Sequence, residues 1–122
     1  MTKLSSSKSN LHLRYPRVAR VNQLLREVVA EEIERLSDSD QRLSLLTVTD
    51  VATDPDLRHS TILFSSLDEP ASEALEENRA KIQKAIASQV RMKRTPQLKF
   101  SLDEAIVSGQ KIEAIIQKIH EQ

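Results

Sequence analysis

From Arg17 the apolar positions Val18, Val21, Leu25, Val28, Val29, Ile33 and Leu36 return on one side at about 100° per residue. The spacing predicts an amphipathic helix ending near Ser37, where the polar run SDSDQ supplies turn residues. Arg17 and Arg20 project to another side of it. The period then drops to two. Residues from about Leu45 to Thr53 alternate Thr47, Thr49 and Thr53 with Leu46, Val48 and Ala52. Those from about Leu57 to Ser65 set Ser60, Ile62 and Phe64 against His59, Thr61 and Leu63. Asp54-Pro55-Asp56 between them predicts a tight connection, and so an antiparallel hairpin with one packed face.

Asp68 is placed as an N-cap, with Pro70 in the first turn of a long helix that reaches roughly to Arg94 and stops at Thr95-Pro96. Its apolar stripe is Leu75, Ile82, Ile86 and Val90. On the far side Lys84 and Arg91 project within about 20° of each other, with Lys81 and Ser88 beside them. Gln97 to Leu102 reads as a third strand, and Ile112, Ile115, Ile116 and Ile119 stripe a last helix beyond Asp103. The order helix, strand, strand, long helix, strand, helix implies an α+β fold. Because a helical crossover leads to it, the third strand is expected to lie parallel to one of the first two in a small mixed sheet. Residues 1–16 have little apolar content and end at Tyr15-Pro16, so they read as a flexible basic tail before a single domain of residues 17–122.

Charge changes this picture more than composition does. The 18 Lys and Arg of the 122 residues balance 18 Asp and Glu, yet they are segregated. Residues 1–26 hold six basic side chains and no acid, residues 27–78 three and fourteen, and residues 79–99 seven and none. Over that last stretch no acid interleaves the cations to form the i,i+4 pairs of an ordinary surface helix, which points to a polyanion. With Tyr15, Phe64 and Phe100 the only aromatic residues, base stacking is poorly supported, and phosphate contacts are expected to dominate.

Other chemistry finds little support. The chain has no cysteine, and His12, His59 and His120 have no spacing for shared metal ligation, so neither a metal nor another cofactor is expected. One glycine, Gly109, cannot build a phosphate cradle and is read as a close-packing position in the last helix. No nucleophile and base pair presents itself, so no enzyme is expected. No apolar run approaches the roughly 20 residues that span a bilayer, and MTKLSSSKSN lacks the apolar segment of a signal peptide. A cytoplasmic protein without a membrane partner is expected. A second reading is a protein-binding adaptor of α+β fold that offers its acidic middle to a basic partner.

The helix opening Arg17-Val18-Ala19-Arg20-Val21, the hairpin VTDVATDPDL and the run Arg91-Met92-Lys93-Arg94-Thr95-Pro96-Gln97-Leu98-Lys99-Phe100, followed by Asp103 and Gly109, resemble the bacterial ribosome-binding factor A family. The resemblance covers about Arg17 to Ile119. It implies a KH-like fold of type II with a kinked helix, and binding to the free small (30S) ribosomal subunit, as a monomer, during late maturation of 16S ribosomal RNA. Growth in the cold and contact with other assembly factors belong to the same implication. The family's Ala-x-Gly kink is matched by Asn78-Arg79-Ala80, which leaves either a shallower kink or one that uses Asn78. The family's usual Ser two residues after the Asp is Ala105. Together the charge and the resemblance nominate Arg17, Arg20, Asn78, Arg79, Lys81, Lys84, Ser88, Arg91, Lys93 and Arg94 as RNA-binding residues.

Overall fold

A computed structural model describes the backbone of residues 2–106 and side chains from residue 17 onward. Helix α1 spans Thr2–Ser37, a short 3₁₀ turn Gln41–Leu43, strand β1 Val48–Thr53 and strand β2 His59–Phe64. Helices α2 (Glu69–Glu77) and α3 (Arg79–Gln89) then lead to strand β3 (Gln97–Leu102). The expected last helix, with its isoleucine stripe and Gly109, lies outside the described residues; the chain is already helical at 104–106, where Asp103 caps the Ile106 amide at 3.4 Å.

The expected stripe of α1 is the buried one, from Val21 through Leu25, Val29 and Ile33 to Leu36. Its start differs, because the helix begins at Thr2 rather than Arg17. Residues 2–16 have no apolar period to reveal a helix. Pro16, which lacks an amide hydrogen and costs roughly 3 kcal/mol inside a helix, is the reason the sequence predicts a helix start at Arg17.

The sheet order is β1-β2-β3, with β2 antiparallel to β1 and parallel to β3. This is the mixed sheet that the order of elements predicts. Ser60, Ile62 and Phe64 are buried, as alternation requires. Strand β1 is shorter than expected, and its register slips between Val48 and Asp50. The irregularity moves the next side chains to the opposite face, so Thr53 is buried while Ala52 is exposed. The Thr53 hydroxyl is satisfied inside the core by that of Ser60 at 2.8 Å. Thr49, at the slip, donates from Oγ1 to the buried Asp103 carboxylate at 2.7 Å and so ties β1 to the end of β3.

The long helix, expected to be kinked at Asn78-Arg79-Ala80 and to reach Arg94, is divided there into two helices and stops earlier. Asp68 caps α2 by accepting the Ala71 amide at 2.8 Å, as anticipated. At Asn78 the backbone leaves the helical basin (φ −100°, ψ 6°). Its side chain donates to the Ala74 carbonyl at 2.8 Å, which its own amide also reaches at 3.0 Å. The kink therefore uses Asn78. Helix α3 ends at Gln89 because Val90, buried against the core, takes an extended backbone (φ −112°, ψ 122°). Residues 91–96 are a loop. The core gathers Leu25, Ile62, Phe64, Leu75, Ile82 and Ile86 where α1 packs on β1 and α3.

Candidate nucleic-acid interface

The parallel pairing decides which cations meet. Gln97 opens β3 opposite His59, the first residue of β2, and its amide bonds to the Arg58 carbonyl at 2.8 Å. The loop 91–96 is thus held beside the hairpin turn. That turn closes through Leu57 N–H to the Asp54 carbonyl (2.8 Å) and Asp54 N–H to the His59 carbonyl (2.9 Å). It places Leu57 at φ 61°, a left-handed conformation that costs a non-glycine residue roughly 1–2 kcal/mol. The start of the α1 stripe comes to the same end of the sheet.

Arg17, Val21, Asp56, Leu57, Arg58 and the run Arg91–Arg94 line a cavity of about 490 Å³. Arg17, Arg58, Arg91, Lys93 and Arg94 are all exposed. Among the described residues none of the five forms an ion pair. Asp56, the one acid among the described residues that line it, accepts the Arg58 amide at 3.1 Å. Met92 packs on the core and anchors the loop. An open depression ringed by uncompensated cations concentrates positive potential where phosphate oxygens can enter.

Not every nominated residue is here. Lys81, Lys84 and Ser88 line a separate depression of about 270 Å³ against Glu32 and Arg35 of α1, which pair with each other at 3.3 Å. The expected neighbourhood of Lys84 and Arg91 fails because α3 ends before Arg91. Ser88 spends its hydroxyl on the Ala85 carbonyl at 3.0 Å. Arg20 is exposed on α1 and lines neither depression. Arg58 was absent from the sequence expectation, hidden among acids; only its place after the Asp54-Pro55-Asp56 turn hinted at it. Next to it, Asp54, Asp56 and His59 bring ligand atoms within 4.8 Å of one another, all exposed.

Arg79 is turned inward to the fold. Its guanidinium grips Glu76 through two bonds of 2.9 and 2.7 Å, donates to the Leu98 carbonyl and lies 5.1 Å from the centre of the Phe100 ring. It fastens the Asn78 kink to β3. The Arg79 guanidinium holds the Glu76 carboxyl below its ordinary range. A depressed carboxyl stabilises the fold above its unfolded pKa and loses that contribution as pH falls through the folded one. Replacing Arg79 by Ala is expected to cost about 1–2 kcal/mol at pH 7 through the lost carbonyl bond, ring contact and ion pair. The exposed ion pair contributes less than about 1 kcal/mol of this. Urea melts should show the difference from the parent protein narrowing as pH falls below the carboxylate range.

The family model described as Ribosome-binding factor A matches residues 17–116. Ribosome-binding factor A of Rubrobacter xylanophilus is 34% identical over 107 residues, covering 84% of this chain and 87% of that protein. Its namesake in Halorhodospira halophila is 32% identical over 111 residues, covering 86% and 87%. The crystal structure of ribosome-binding factor A from Thermus thermophilus is similar with a TM-score of 0.62 and 34% identity, over 68% of this chain and 92% of that one. A homology model of the Thermus thermophilus factor, fitted into a cryo-EM map of a 30S complex, is similar with a TM-score of 0.53 and 36% identity, over 62% and 84%. With most of its length matched by the family model and by these relatives, this chain belongs to the ribosome-binding factor A family.

Proposed function

We propose that this chain binds the free small ribosomal subunit in the cytoplasm and assists late maturation of 16S ribosomal RNA, without catalysing a reaction. The observation that carries the reading is the group of five cations, without ion pairs among the described residues, around the cavity at the hairpin end of the sheet. A similar protein has been fitted into a map of a 30S complex, which supports the small subunit as the source of that polyanion. The cavity side chains hold rRNA phosphates, and base-specific contacts are few, since stacking residues are scarce. Lys81 and Lys84 act as a weaker, flanking contact, and Asn78 and Arg79 set the geometry of the kink. The basic residues of segment 1–16, ahead of a domain of residues 17–122, add long-range attraction.

Copelleting with free small subunits at rising salt tests this. If all five cations meet phosphates, the logarithm of the binding constant should fall against the logarithm of salt with a slope of about −4. Binding that is indifferent to salt would remove phosphate contact as the basis of recognition.

A further inference from the structure

The opposite end of the sheet has the reverse character. There the end of α1, the 3₁₀ turn, the loop before β1 and the start of α2 come together, in segments 34–47 and 66–73. These segments hold six acids and two arginines. One of the two, Arg42, is already shared between carboxylates, bonding Asp40 at 2.7 Å and Glu77 at 2.6 Å. Leu45 stands out from this surface at 85% exposure. On either side of its loop lies a depression, one of about 190 Å³ with Leu45 itself, the paired Arg42, Asp68, Pro70 and Ala71 in its wall, the other of about 270 Å³ with Ile33, Glu34 and Val48. Leu46 lines both.

Negative charge repels the phosphates that the other end attracts, so RNA is the wrong occupant here. An apolar knob between two part-apolar depressions, one edged by Glu34 and the other by Asp68, on a surface where acids outnumber arginines, fits a polypeptide that brings cations and apolar side chains together. We propose that this end is a second docking surface, for a Lys/Arg-rich protein segment carrying leucine-like anchors that pack around Leu45. One small protein would then join RNA at one end of its sheet to a basic polypeptide at the other.

The test is an amide chemical-shift titration of the full chain with the synthetic peptide KKLRKLKK and its control KKSRKSKK. Shifts should concentrate at residues 43–47 and 66–72, with the control binding about tenfold more weakly. Leu45→Ser should weaken the leucine peptide by a similar factor. Its melting temperature should match the parent's, since the side chain packs on little. The exposed turn of Asp54 and Asp56 serves as an internal reference for plain charge attraction. Equal binding of both peptides, or equal shifts at that turn, would overturn the proposal. So would shifts that appear on concentrating the protein alone, which mark self-association, or an RNA oligonucleotide that moves the same amides.

Discussion

Changing Arg58, Arg91 and Arg94 together to glutamate should lower affinity for free small subunits by at least about a thousandfold at 0.1 M salt. Each residue is assigned one phosphate, and a hydrogen bond to a charged group contributes about 1.5–3 kcal/mol, or roughly a factor of ten or more. The salt slope should shrink by about one for each residue, because each lost contact releases fewer counterions. Folding should be unaffected, as none of the three side chains has a hydrogen-bond partner among the described residues. The paired change Lys81→Glu with Lys84→Glu gives the contrast: their depression already contains Glu32, and the loss should stay near tenfold. A triple variant that pelleted like the parent would remove the cavity from the interface. A Lys81 and Lys84 pair that mattered more would return the site to the helix face.

That contrast also measures how far the sequence could be read. Where one element faces one core, period alone found the buried side: Val21 to Leu36 on α1, Ser60 to Phe64 on β2, and the range of β3. Asp68 was legible as a cap because its signal is local. Apart from the start of α1, the failures are places where a distant contact decides. The spacing of Ile82, Ile86 and Val90 continues smoothly into Arg91, and nothing nearby reveals that Val90 leaves the helix. Its departure splits a basic tract that looks continuous, sending Arg91, Lys93 and Arg94 to the hairpin end and leaving Lys81 and Lys84 beside α1. Arg58 joins the former group only through the parallel register of β2 and β3. Alternation in β1 fails beyond the slip at Thr49, since one irregular residue inverts every later assignment. Arg79 had the right charge for RNA, but its partners Glu76, Leu98 and Phe100 meet only once the sheet is formed.

Phe64→Ala should be among the most damaging single changes to stability, at about 3–5 kcal/mol. Phe64 is fully buried, pairs with Val48 on one side and Leu102 on the other, and lies 6.3 Å from Phe100 with the rings tilted at 47°. Truncation leaves a cavity where both strand pairs and the aromatic contact converge. For a domain of this size the melting temperature should fall by roughly 10–20 °C. Phe64→Leu, which keeps much of the volume, should cost less than about 2 kcal/mol. Because the Phe100 ring also carries the Arg79 guanidinium, the effects of Phe64→Ala and Arg79→Ala should not add, with a coupling of about 0.5 kcal/mol or more. Phe64 nevertheless ends β2, whereas the five-cation cavity lies at its beginning. In the cold, where the variant remains folded, its affinity for small subunits should therefore stay within a few fold of the parent's. A Phe64→Ala protein that is folded but no longer binds would place the recognition surface at the other end of the sheet.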